Sequence, residues 1–187
     1  MRYILASKSP RRKELVGGII KDFEIITKEV DESLPSDIHP REGVEILAVR
    51  KGAAIAEELS DSCVVISSDT LVEIGGVALG KPTDKADAFK MLRLLSGKAH
   101  NVHTGVAIHY KGKVHSGVAT TAVYFRKMTN EEINAYIDSG DPMDKAGSYG
   151  IQSGGGKFVE KIEGDYDTVV GLSVSLTKRL IDEAIND

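Results

Sequence analysis

Short apolar runs that read as buried strands alternate along this chain with stretches of helical spacing. That alternation constrains the fold most, because it reads as α/β rather than all-helical or all-β. Tyr3 to Ala6 is the first such run, and Ser9 with Pro10 supplies an N-cap and a proline at the first helical position. A helix is therefore predicted from Pro10 to about Val16, stopping at Gly17 and Gly18. Thr27 to His39 is acidic and irregular and reads as a loop over a surface or cleft. From Glu42 to Leu59 the apolar residues Val44, Leu47, Ala48 and Ile55 recur at helical spacing, with Lys51 in the middle of the stripe. Cys63 to Ile66 is a second buried-strand run, broken by Ser67, Ser68, Asp69 and Thr70. Leu71 to Leu79 reads as a hairpin around Gly75 and Gly76, and Thr83 as the cap of a helix from Asp84 to Leu95 that ends at Ser96 and Gly97. Alternation from Val102 to Ile108 and from Val114 to Phe125, with Lys111 and Gly112 at the turn, predicts a longer hairpin. Thr129 and Glu132 form a capping box for a helix to about Ser139, with Gly140 as its stop. A Gly-rich segment from Asp141 to Lys157, a strand from Phe158 to Ile162 and a helix from about Val174 to Ala184 follow.

Composition narrows the function classes. A chain of 187 residues suits one domain or two lobes of one fold, and it can bury about 70% of its unfolded surface without staples. A net charge of −4 excludes a general nucleic-acid coat or a polybasic membrane anchor. The lone Cys63 cannot form an internal disulfide, which suggests a reducing compartment. The apolar stretch in MRYILASKSPRR is too short for a signal peptide, and no run approaches the ~18 residues of a membrane span. The expected location is the cytoplasm, with no membrane partner.

Several residues could carry chemistry. In SKSPRR, a strand end feeds a capped helix, and Ser7, Ser9, Lys8, Arg11 and Arg12 add hydroxyls and cations to a helix N-terminus. That combination suits phosphate, or it is a basic surface turn. No G-x-x-x-x-G-K-[ST] occurs, so a P-loop is excluded. Asp69 follows a buried run, where a carboxylate can hold a divalent metal or take a proton, or can merely form a turn. Lys51 within an apolar stripe must snorkel, pair or face a cleft. Lys81 and Lys145 are further cations that loops could aim at a polyphosphate. Gln152 carries an amide that matches the NH and carbonyl edge of uracil or thymine, within a segment that otherwise reads as an ordered surface loop. One cysteine and five scattered histidines do not supply a zinc site, and no G-x-S-x-G elbow is present.

Together these segments are specific. ILASKSPRRKEL at Ile4 to Leu15, LAVRK ending at Lys51, SDT at Ser68 to Thr70, GKP at Gly80 to Pro82, MLRLLSG at Met91 to Gly97 and DPMDKAGSYGIQ at Asp141 to Gln152 occur in that order. In this the chain resembles the Maf family of nucleoside triphosphate pyrophosphatases, once described as septum formation inhibitors, over nearly its whole length. The resemblance implies a single Maf-like domain over residues 1–187, with a mixed sheet in a two-lobed α/β fold of the Maf/ITPase type around a deep central cleft. It also implies hydrolysis of a nucleoside triphosphate to the monophosphate and pyrophosphate with a divalent metal, Mg²⁺ or Mn²⁺. Asp69 matches the family's proton acceptor, and with Glu32 it is expected to hold the metal. Arg12, Thr70 and Gln152 match positions linked to base selection, while Ser7, Lys51 and Lys81 match polar and cationic cleft positions. Arg11, Arg12, Lys51 and Lys81 are expected to neutralise phosphate oxygens, with Lys51 and Lys81 counted as catalytic. Helix N–H groups from Ser9 to Arg11 are expected to cradle a phosphate. The SPRR form resembles the branch acting on dTTP and UTP, and a homodimer is compatible with the resemblance. The chain departs from the family's usual pattern at Gly52, Ser67, Asp141, Ser148 and Ser153. The other classes are a non-catalytic nucleotide-binding regulator of cell division, which Asp69 and Glu32 disfavour, and a nucleic-acid binder, for which SKSPRRK is too local.

Overall fold

The computed structural model describes residues 1–60 and 62–187. Among them, seven strands form one mixed sheet in the order β2-β1-β3-β5-β6-β7, with β4 paired to β3. The strands are β1 (Arg2–Leu5), β2 (Glu24–Ile25), β3 (Cys63–Ile74), β4 (Val77–Leu79), β5 (Ala99–Tyr110), β6 (Lys113–Phe125) and β7 (Val159–Glu163). The helices are α1 (Pro10–Gly17), α2 (Pro40–Ala56), α3 (Lys85–Leu95), α4 (Asn130–Asp138), α5 (Tyr166–Val170) and α6 (Val174–Asn186). The chain divides into two compact units. The first holds Met1–Thr70, Thr104–Ala119 and Gly171–Asp187, and the second holds Leu71–His103 and Thr120–Val170.

In the first unit, β1 pairs in parallel with β2 and with β3, Tyr3 opposite Val64 and Leu5 opposite Ile66. These two apolar runs are buried on both faces, which is why they are continuous rather than alternating. Leu5, Val64 and Ile66 pack with Val16 of α1 and with Leu176, Leu180 and Ile181 of α6. Ile4, Val65 and Cys63 pack with Ile55 of α2 on the opposite face. The helix expected from Glu42 instead starts at Pro40, because His39 Nδ1 accepts from the Arg41 N–H and Pro40 needs no donor partner in the first turn.

The second unit is built around Leu92, Leu95, Val123, Phe125, Ile133 and Phe158. Gly75 and Gly76 both take positive φ, at 59° and 82°, as a two-residue hairpin turn between β3 and β4 requires. The cap of α3 is Asp84 rather than Thr83. The Asp84 carboxylate accepts from the Asp87 N–H, while the Thr83 hydroxyl and N–H donate to Asp87. The capping box of Thr129 and Glu132 forms as expected. The Gly-rich segment folds into three 3₁₀ turns, at Asp141–Asp144, Ala146–Ser148 and Gly154–Phe158. Helix α5, five residues long, is too short to show a period in the sequence.

His100 sits in this second core. It is bonded through Nε2 to the Tyr149 hydroxyl at 2.8 Å and is edge-on to the Phe125 ring at 4.9 Å. Burial disfavours its charged form and lowers its pKa from 6.5 to about 4. The unfolded chain therefore takes up this proton first as pH falls. The His100 contribution to stability is complete above pH 6.5 and is lost as pH drops from 6.5 toward about 4. Denaturant melts at pH 7 and pH 5 are expected to differ by about 2 kcal/mol more in the parent than in His100→Gln. An equal pH response in both would refute this assignment.

Candidate active site

The expected break after Ile66 does not occur, because β3 continues through Ser67, Ser68, Asp69 and Thr70 to Ile74. Both serines are fully buried, and their hydroxyls find partners that let a polar sequence stay in the sheet. Ser67 Oγ donates to the Ala48 carbonyl of α2 at 2.7 Å, and Ser68 Oγ donates to the Gly171 carbonyl at 3.0 Å. Asp69 thus lies within a strand rather than after one. The strand-end argument survives in altered form, since β1 pairs with β3 only as far as Leu5 opposite Ile66. Residues 67–70 therefore run on past the carboxyl end of β1, where open α/β sheets place ligands.

Strand alternation sends Asp69 and Thr70 to opposite faces. Asp69 shares the face of Cys63 and Val65, which α2 covers. There Lys51 Nζ donates to Asp69 Oδ1 at 2.7 Å and meets Glu32 Oε1 at 2.9 Å. The Lys51 and Asp69 side chains are only 18% and 13% exposed, whereas Glu32 is 61% exposed, so the inner pair carries most of the electrostatic weight. Lys51 therefore resolves its place in an apolar stripe by pairing. The acidic loop is tied down beside it, since Arg50 donates to the carbonyls of Asp31 and Ser33, the latter at 2.9 Å.

Glycines set how closely α2 lies on the sheet. A Cβ on Gly105 of β5 would stand 2.5 Å from the Val44 carbonyl oxygen. A Cβ on Gly52 would stand 2.5 Å from Ser67 Oγ and from the His109 ring. Gly52 and Ser67 are thus neighbours, and the glycine leaves the space that the serine hydroxyl fills.

Thr70 faces α1. Arg12 Nε donates to the Gly171 carbonyl at 2.8 Å, and its terminal nitrogens reach Thr70 Oγ1 at 3.2 Å and Ser7 Oγ at 3.5 Å. Thr70 Oγ1 also pairs with Thr104 Oγ1 at 3.0 Å. Burial lowers the Arg12 pKa, with the Asp69 and Glu32 carboxylates opposing the shift, and the guanidinium stays protonated. The two faces are thus electrostatically connected. The backbone cradle is smaller than expected: Ser9 donates its N–H to Ser7 Oγ at 3.2 Å and Pro10 has none, which leaves Arg11. Arg11 itself is half-buried on the first turn of α1.

Sequence reasoning missed Ser68, Thr104 and Gly171. Gly171 has φ of 131°, a conformation that demands glycine, and its carbonyl serves both Ser68 and Arg12. A glycine just ahead of the Ser173 cap was the available signal.

Lys81 and Gln152 lie in the second unit, both exposed. Their segments meet through a hydrogen bond from the Gly147 N–H to the Gly80 carbonyl at 3.0 Å. Lys145, by contrast, is spent on structure, its ammonium bonded to Asp141 and Asp144.

Among the described residues, no group of three or more His, Cys, Asp or Glu side chains is placed to hold a metal ion. The two carboxylates that converge on Lys51 nevertheless fit a hard divalent cation of the Mg²⁺ type. Such ions take one or two carboxylates and complete their shell with water and substrate phosphates. No helix among the described residues is long and apolar enough to cross a membrane.

The chain is 50% identical over 174 residues to a protein of Bacillus anthracis named dTTP/UTP pyrophosphatase, covering 93% of this chain and 91% of that one. It is 46% identical over 177 residues to a protein of Thermococcus kodakarensis with the same name, covering 95% and 94%. The fold is similar to that of a HAM1 protein from Coxiella burnetii, with a TM-score of 0.54 at 12% identity over 98% of this chain and all of that one. It is also similar to the Ham1 protein of Staphylococcus aureus, with a TM-score of 0.51 at 16% identity over 67% and 72%. The family model described as Maf-like protein matches residues 2–184. With a family model spanning almost every residue and relatives at this identity over nine-tenths of its length, the chain belongs to the Maf family.

Proposed function

We propose that this chain hydrolyses nucleoside triphosphates, dTTP and UTP foremost, to the monophosphate and pyrophosphate in a divalent-metal-dependent reaction, acting as one Maf-like domain over residues 1–187. The observation that carries the reading is the half-buried Lys51 ammonium, held at once by Asp69 at 2.7 Å and Glu32 at 2.9 Å. The anchored Arg12 guanidinium feels both carboxylates. The names of the relatives point to the same substrates.

Asp69 and Glu32 would hold the metal, which when bound supplies charge to offset the phosphate oxygens. Asp69 accepts a proton from the water whose oxygen attacks the α-phosphorus. The bond between that phosphorus and the oxygen bridging to the β-phosphorus breaks, and pyrophosphate leaves with the bridging oxygen. Lys51, Lys81 and Arg11 offset the negative charge on phosphate oxygens. Ser7, Arg12 and Thr70 orient the nucleotide. Gln152 reads the edge that uracil and thymine share, and one methyl group separates the two by only ~1 to 3 kcal/mol. The proposed setting is the cytoplasm, with the chain as a homodimer and a nucleotide as its partner.

A panel of common triphosphates assayed with Mg²⁺ or Mn²⁺ is expected to give fastest turnover of UTP and dTTP, abolished by EDTA and restored by added metal. Tight nucleotide binding with no metal-dependent product would contradict the proposal and favour a non-catalytic regulator.

A further inference from the structure

The Gly-rich segment is packed tightly. A Cβ on Gly154 would stand 2.8 Å from the Tyr136 ring, one on Gly155 2.8 Å from the Gly150 carbonyl oxygen, and one on Gly156 2.4 Å from that of Ile151. Within this frame Gln152 stays exposed, so the backbone on either side sets where its side chain starts. The next residue does the holding. Ser153 Oγ donates to Asp141 Oδ2 at 2.6 Å. The same oxygen accepts from the Tyr136 hydroxyl at 2.6 Å, and Lys145 Nζ donates to Oδ1 at 3.0 Å. Tyr136 in turn accepts from the Gly150 N–H at 3.1 Å, so the backbone is pinned two residues before Gln152 as well as directly after it. The carboxylate is thus shared by both pins. Burial opposes its charge, but the hydrogen bonds from Ser153, Tyr136 and Lys145 outweigh burial and keep its pKa below the usual value.

We propose that Asp141 and Ser153 are a positioning pair, which holds the backbone of Gln152 so that its amide reaches the substrate base. This deepens the proposed function and rests on its reading of Gln152. A carboxamide offers a carbonyl and an NH₂ group side by side. In one direction it matches the N–H and carbonyl of uracil. Turned over, it matches the ring nitrogen and amino group of cytosine. The amide turns about its own side-chain bond and so can present either pattern, and holding the backbone fixes how far it reaches toward the base rather than which pattern it shows. Asp141 and Ser153 touch no substrate in this scheme and act through Gln152.

The test compares kcat and KM for UTP in the parent chain, Ser153→Ala, Ser153→Thr and Gln152→Ala. Ser153→Ala is expected to raise KM for UTP about tenfold, the loss of roughly one hydrogen bond. Its kcat on UTP should stay within about twofold, and Ser153→Thr, which keeps the hydroxyl, should retain the parent KM. Amide hydrogen exchange over residues 150–156 in Ser153→Ala is expected to speed up by a similar factor. An unchanged KM in Ser153→Ala with a raised KM in Gln152→Ala would overturn the positioning pair alone. An unchanged KM in both would overturn the reading of Gln152 with it.

Discussion

Asp69→Asn is expected to lower kcat for UTP by at least about 100-fold, the least that loss of a general base or metal-holding carboxylate costs. The substitution keeps size and shape, so Lys51 remains packed against an amide oxygen at the position where it now bonds the carboxylate at 2.7 Å. What is lost is the negative charge. Glu32 cannot stand in, since it is 61% exposed and held by one flexible side chain, whereas Asp69 is fixed by the strand. Single-turnover rates at saturating metal report the chemical step, and the melting temperature checks that the fold persists. A rate within a few-fold of the parent would remove Asp69 from the mechanism.

Gly105→Ala is expected to cost about 3 kcal/mol of stability, at the upper end for overpacking, and to impair catalysis in the fraction that folds. The added methyl would stand 2.5 Å from the Val44 carbonyl oxygen and 2.9 Å from its carbon, and a backbone carbonyl cannot rotate away as a side chain can. Helix α2 must lift or slide. Val44, Leu47 and Ala48 are almost fully buried on that helix, so the displacement opens the core while it carries Lys51 away from Asp69. Denaturant unfolding measures the stability loss, and the kcat of the folded protein measures the shift of Lys51. Unaltered stability would mean that α2 does not depend on this close approach.

Much of the fold was legible because its signals are local. Ser9 and Pro10, the capping box at Thr129 and Glu132, and the paired glycines at 75 and 76 each settle a few residues by hydrogen bonding or backbone conformation alone. The continuous apolar runs around Ile4 and Val65 announced strands buried on both faces. The failures share a cause in partners distant along the chain. Ser67 to Thr70 read as a break because four polar residues have no local reason to stay extended, and the Ala48 and Gly171 carbonyls that satisfy two of them lie 19 and 103 residues away. Lys51 was recognised as anomalous in its stripe, but only the fold shows that both carboxylates share it. The contact of Arg12 with the Gly171 carbonyl spans 159 residues and left no trace in spacing.

The most direct test of the proposed reaction is to hydrolyse UTP in water enriched in ¹⁸O, with Mg²⁺ present, and to follow the label by mass spectrometry. Attack on the α-phosphorus puts one ¹⁸O into the uridine monophosphate and leaves the pyrophosphate unlabelled. Label in the pyrophosphate, or release of orthophosphate with uridine diphosphate, would place the attack on another phosphorus and contradict the roles given to Asp69, Lys51 and Glu32.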